Sequence, residues 1–132
     1  MMRLELPFPP STNTAYATVR GRRVKTKRAR EYADEAHICA FVNPATQRLR
    51  FDMAQLAKAG SEHPRLAVRL DLHPPRRGRA DVANYEKLVV DAVFGYLGLD
   101  DSLIDDLRIV RHWDVVQKPG KLIMTISETD GG

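Results

Sequence analysis

The chain has 132 residues, 43% hydrophobic and 29% charged, a globular composition that is neither disordered nor fibrous. No apolar run approaches the roughly 20 residues that span a bilayer, and a lone cysteine, Cys39, allows neither an internal disulfide nor a zinc finger. The net charge of +4 is unevenly spread: residues 1–30 carry eight bases against Glu5 alone, net +7, whereas from Gly98 onward seven acids face four bases, net −3.

The opening MMRLELPFPP lacks the charged-then-apolar order of a signal peptide. The expectation is therefore one domain over 1–132 in the cytoplasm, with no membrane partner and no small-molecule cofactor. A polyanion-binding face beside separate carboxylates is what a metal-dependent nuclease requires. The plain alternative is a solvated surface with chance asymmetry.

Leu4, Leu6 and Phe8 alternate with polar residues, predicting a strand that Pro7, Pro9 and Pro10 bring to an end. Ser11-Thr12-Asn13 reads as a loop, and residues 15–26 as a hairpin turning at Gly21 whose arms hold most of the basic charge. Thr26 can cap a helix to about Val42 with Ala29, Tyr32, Ala33, Ala36 and Ala40 at helical spacing. Asn43-Pro44 and Gly60 bracket a second helix over 44–59.

Arg65 to His73 is the cleanest strand, with Leu66, Val68, Leu70 and Leu72 on one face. Residues 81–97 predict an amphipathic helix with Val82, Tyr85, Val89, Ala92, Val93 and Tyr96 in one stripe. Strands at Leu107–Val116 and Lys121–Glu128 read as a final antiparallel pair joined around Pro119-Gly120. The predicted class is α+β, a mixed β-sheet of about four main strands with two or three helices and a basic N-terminal hairpin.

The chemistry concentrates in RRGRADVANYEKLVVDAVFGYLGLDDSLIDD, residues 76–106. On an ideal helix Asn84, Lys87 and Asp91 fall within about 60° of one another, opposite the apolar stripe. Asp81 at the helix start reads by itself as a cap, and Asp100-Asp101 as a solvated turn. In combination with Lys87 and the bases Arg76, Arg77 and Arg79, they suit Mg²⁺-assisted attack on a phosphodiester: one or two carboxylates suffice per ion, lysine steadies phosphoryl charge, and arginines hold adjoining phosphates.

This region, with the opening LELPFPPSTN and RGRRVKTKRAREYADEA, resembles the RusA family of Holliday junction resolvases, small dimeric Mg²⁺-dependent endodeoxyribonucleases often encoded by phages and prophages. The likeness covers most of the chain and includes the family's Pro-Pro-Ser-x-Asn loop, its Asp-x-Asp-Asn-x-x-Lys helix and its Gly…Asp-Asp ending. It implies Asp81, Asp91, Asp101 and Lys87 as catalytic groups, and Asp81, Asp91, Asp100 and Asp101 as ligands of Mg²⁺, with Mn²⁺ as substitute. The implied contacts to branched DNA are Asn13, Arg20, Arg22, Arg23, Lys25, Lys27, Arg76, Arg77, Arg79 and Asn84. A C2 homodimer follows from cutting both strands symmetrically.

One position departs from the family: Ala83 stands where the second acid of Asp-x-Asp is usual. Three readings stay open, with the first preferred: a natural variant using Asp81, Asp91 and Asp101, a sequence inactivated to trap DNA, and a naturally inactive binder of branched DNA. Glu86, about 60° around an ideal helix from position 83, is the candidate replacement, against the preferred plainer reading of a salt-bridging surface residue. His37, Cys39, His63 and His112 read as structural groups, and His73 as a weak phosphate-contact candidate. Trp113 reads as core or dimer interface. Tyr16 reads as cross-strand packing with insertion into a junction as its alternative, and no aromatic pattern points to RNA.

Overall fold

The alternation over β4 (Leu66–His73) organises the molecule: Leu66, Val68, Leu70 and Leu72 are all at most 1% exposed, and the residues between them are not buried. The computed structural model describes residues 1–78, 81–113 and 118–129. In chain order the other elements are β1 (Met2–Pro7), α1 (Thr12–Ala15), β2 (Tyr16–Val19), β3 (Arg22–Lys25), α2 (Lys27–Val42) and α3 (Pro44–Lys58) before β4. After it come a 3-10 turn (Val82–Tyr85), α4 (Glu86–Leu97), a second 3-10 turn (Asp101–Leu103), β5 (Ile104–Arg111) and β6 (Lys121–Glu128).

The architecture is α+β with a mixed four-stranded sheet in the order β1-β6-β4-β5, and β2-β3 forms a separate hairpin. β6 runs antiparallel to both β1 and β4, and β5 runs parallel to β4. Register aligns three apolar rows across the sheet: Met2-Ile126-Val68, Leu4-Met124-Leu70 and Leu6-Leu122-Leu72. These rows merge with Ala29, Tyr32, Ala36 and Ala40 of α2, Leu49 and Met53 of α3, and α4 into one core.

Two expectations about the C-terminal half are corrected. β5 and β6 are not an antiparallel pair, because β4 lies between them. The two strands differ in burial as in position: Leu122, Met124 and Ile126 of interior β6 are fully buried, whereas Leu107 of edge strand β5 is 41% exposed. The β4-α4-β5 path is a crossover, the connection that parallel neighbours need. β5 also begins at Ile104, three residues early, and 114–116 of the predicted strand lie outside the described residues.

The predicted helix over 81–97 is in fact two pieces, 3-10 over Val82–Tyr85 and α from Glu86. The apolar stripe shifts accordingly: α4 buries Leu88, Val90, Phe94 and Leu97 besides Val89, Ala92 and Val93, whereas Val82, Tyr85 and Tyr96 are only partly covered. The Ser11–Asn13 loop is likewise partly helical, with Ser11 capping α1 through the amide of Thr14.

Local signals hold elsewhere. Asn43 accepts from the amides of Ala45 and Thr46 with Pro44 in the first helical turn, and Thr26 accepts from Ala29 to start α2. The hairpin turns on Arg20 and Gly21, both with positive φ (52° and 75°), the two-residue geometry that matches strand twist.

Gly120, before β6, has φ +80°, and a Cβ there would stand 2.8 Å from Pro75 N and 2.9 Å from the His73 carbonyl oxygen. Both neighbours are backbone and cannot rotate away. Gly120→Ala should therefore lower unfolding free energy by about 2–3 kcal/mol in urea titration.

Candidate active site

Lys87 and Asp91 lie one turn apart on α4, and their ion pair, Nζ to Oδ2 at 3.4 Å, is the spacing read from the sequence. Asp91 has a second partner from 75 residues away: the Tyr16 hydroxyl donates to the same Oδ2 at 3.4 Å. The other face of Tyr16 carries the Arg23 guanidinium, 4.7 Å from the ring centroid. The phenol is held in its protonated, donating form, its pKa raised by partial burial and then by the Asp91 charge. A chain of contacts thus runs from the basic hairpin through Tyr16 to the carboxylate and lysine of α4.

Glu86 departs from its expected role. It is half-buried and makes no ion pair among the described residues, so it is not a salt-bridging surface group. Burial first, then the charges of Asp91 and Asp101, push its carboxyl above the usual carboxylate range, with Lys87 opposing. Glu86, Asp91 and Asp101 therefore share one electrostatic environment. Asp101 reaches it because Gly98 ends α4 in the left-handed region (φ 71°) and reverses the chain.

The remaining acids divide. Asp100 caps the second 3-10 turn, its Oδ1 accepting from the Ser102 amide at 2.8 Å, and that bond lowers its pKa. Asp81 is exposed before the first turn and makes no side-chain capping bond there. Ala83 is exposed in that turn. Asn84 is half-buried, and its carbonyl accepts from the Thr12 hydroxyl at 2.6 Å, docking α1 against the turn.

The candidate DNA contacts fall in two groups. Asn13, Arg20, Arg22, Arg23, Lys25 and Lys27 are all exposed on α1, the hairpin and the start of α2, and Lys27 pairs weakly with Glu31 at 3.8 Å. Arg76 and Arg77 are exposed after β4, where Arg77 donates to the Trp113 carbonyl at 3.4 Å. Arg79 lies outside the described residues.

The histidines all have structural partners. His37 bonds the Ala92 carbonyl at 3.1 Å and His63 that of Met53 at 3.0 Å. His112 donates to Asp71 at 2.8 Å and stacks on His73 at 4.5 Å between centroids.

Among the described residues, no three carboxylate, imidazole or thiolate groups converge into a ready-made metal cage. Asp91 and Asp101 nevertheless offer hard oxygen donors, which fit a Mg²⁺ ion held by one or two carboxylates and keeping most of its waters. They do not fit a metal that demands a closed set of protein ligands.

The model of the family described as "Endodeoxyribonuclease RusA" matches residues 7–126. The chain belongs to the RusA family. Relatives include the crossover junction endodeoxyribonuclease RusA of Escherichia coli O139:H28, 32% identical over 95% of this chain and 92% of that one. Those of Escherichia coli K12 and Enterobacteria phage 82 are 31% and 30% identical over the same shares. Among solved structures, a 2C-methyl-D-erythritol 2,4-cyclodiphosphate synthase from Plasmodium vivax reaches a TM-score of only 0.37 at 12% identity, over 97% of this chain and 94% of that one, too low to inform fold or function. Ala83 is exposed and stands three residues before the half-buried Glu86.

Because the Glu86 carboxyl has a higher pKa folded than unfolded, its stability contribution is complete in acid and is lost as pH rises through the folded value. Glu86→Gln removes that loss. In metal-free buffer the variant should melt about 1–3 °C above wild type at pH 7.5, and with it below the usual carboxylate range, as read by calorimetry.

Proposed function

We propose that this chain is a structure-selective endodeoxyribonuclease that hydrolyses phosphodiesters at Holliday junctions or other branched DNA, with Mg²⁺ as cofactor and Mn²⁺ as substitute. The observation that carries the proposal is the line Arg23, Tyr16, Asp91, Lys87, which ties a cationic arm to the carboxylates in a chain of the RusA family. Its relatives are named for crossover junctions.

In this reading Asp91 and Asp101 hold the ion, and the exposed Asp81 completes the set when DNA is seated. A bound Mg²⁺ would polarise the phosphodiester and lower the pKa of a water. The chain's own residues do the rest. Lys87 steadies charge on the phosphoryl oxygens while its pairing with Asp91 keeps it in place. Tyr16 fixes the Asp91 carboxylate by donating a hydrogen bond to it while keeping its own proton. The hairpin arginines and lysines, with Arg76 and Arg77, bind phosphates irrespective of sequence, so affinity falls steeply with salt.

Ala83 supports a second reading, a binder of branched DNA without cleavage, since it stands where the family resemblance implies a carboxylate and no three-ligand cage is assembled among the described residues. A labelled synthetic four-way junction in millimolar Mg²⁺ or Mn²⁺, with duplex and EDTA controls and a parallel gel shift, separates the two. Paired, metal-dependent nicks on the junction alone are the expected result. Junction binding without cuts in either metal would establish the binder. Ala83→Asp should raise cleavage about tenfold or more with unchanged junction affinity.

Symmetric cutting calls for a C2 homodimer. α2 leaves Ile38, Phe41 and Val42 more than 60% exposed, as α3 leaves Phe51, and these apolar surfaces are the proposed self-association face. Phe41→Glu should convert a dimer to a monomer in sedimentation velocity.

A further inference from the structure

A cleft of about 370 Å³ opens where the end of β1, the loop after β4 and the end of β5 meet, and it lies outside the carboxylate group. Its walls include three aromatic rings, Phe8, Tyr85 and Trp113, and three cations, Arg28, Arg76 and Arg111. Phe8 and Tyr85 pack at 5.0 Å between centroids and 57° between planes, and the Arg111 guanidinium lies 4.3 Å over the Trp113 ring. Among the described residues lining it, none is acidic. Pro-Pro pairs at 9–10 and 74–75 stiffen both rims.

This combination is selective. Aromatic faces with arginines take a planar base by stacking and its phosphate by charge, whereas a purely aliphatic or acidic ligand would satisfy only half of the lining. The volume sits at the small end of ligand sites and suits one nucleoside. Tyr85 of the cleft wall immediately precedes Glu86 in the chain. Arg28 stands in the first turn of α2, where the helix dipole adds to its charge.

The geometry points to this cleft as a binding site for one unpaired nucleotide of branched DNA, the base stacked among Phe8, Tyr85 and Trp113 and its phosphates on Arg28 and Arg76. It rests on the branched-DNA reading above. It gives that reading a means of telling a junction from a duplex, since a paired base cannot enter.

Trp113 is the only tryptophan in the chain, so its emission reports this cleft. The full chain in EDTA is titrated with a four-way junction, the same junction made abasic at its branch point, duplex, and free deoxynucleoside monophosphate, with anisotropy of labelled DNA recording binding independently. The intact junction is expected to quench Trp113, while the abasic junction and duplex bind without quenching. Exposed Arg76→Ala should weaken the quenching titration about tenfold, and Trp113→Ala should cost junction affinity that Trp113→Phe retains. Equal quenching by abasic and intact junctions, no quenching despite junction binding, or quenching by free nucleotide alone would overturn the cleft assignment and leave the junction reading intact. Absence of junction binding by anisotropy would overturn both.

Discussion

β4 has to satisfy two kinds of neighbour at once, and the remaining architecture follows from that constraint. Its inward residues, Leu66, Val68, Leu70 and Leu72, are covered completely, and its backbone pairs with a neighbouring strand on each edge. β6 takes one edge antiparallel and β5 takes the other parallel. The parallel neighbour obliges the chain to cross over between them, and that crossover contains Asp81, Asn84, Glu86, Lys87 and Asp91. The chemistry-bearing segment is thus the connection that the sheet requires, anchored by the buried residues of α4 against α2 and α3.

The carboxylates are held against their own repulsion. Glu86, Asp91 and Asp101 influence one another, with Lys87 and the Tyr16 phenol providing partial relief. Crowding like charges at a half-buried helix start lowers stability, yet it produces a negative field of the kind the proposed divalent cation would need. The opposite sign is kept on other elements: the hairpin and the start of α2 are cationic and exposed, and the two fields meet at Tyr16. Asp71 contrasts with this group. Burial would raise its pKa, but bonds from Arg69 and His112 together outweigh that and lower it, a fully compensated structural carboxylate.

Much of this is legible in the amino-acid sequence. Period-two alternation locates β1 and β4, the turn pair Pro119-Gly120 marks the start of β6, caps at Thr26 and Asn43 locate α2 and α3, and helical spacing puts Lys87 and Asp91 on one face. What failed has identifiable causes. Alternation says which residues are inside but not which strand is beside which, so the local turn at Pro119-Gly120 suggested a hairpin where β4 intervenes. A wheel at 100° per residue cannot describe residues 82–85, because a 3-10 turn advances faster, and the rotational positions of Ala83, Asn84 and Glu86 shift with it. The bond from Tyr16 to Asp91 joins residues 75 apart, and no local pattern announces it. Glu86 is legible as a candidate, but the pattern favours the plainer surface role, because partial burial cannot be read from a charged residue at a helix start.

Thr26 gives the arm its mechanics. Its hydroxyl lies within hydrogen-bonding distance of the Thr14 and Ala15 carbonyls, at 3.0 and 3.2 Å, and its oxygen accepts from the Ala29 amide at 3.3 Å. The root of the hairpin and the first turn of α2 therefore share one oxygen atom. Swinging the arm would uncap a helix whose next turns are built into the core, so the cationic arm behaves as a fixed bracket. If the proposed DNA binding holds, the polyanion rather than the arm would adapt its curvature to the spacing of the arginines, and selection would rest on which substrate bends at least cost.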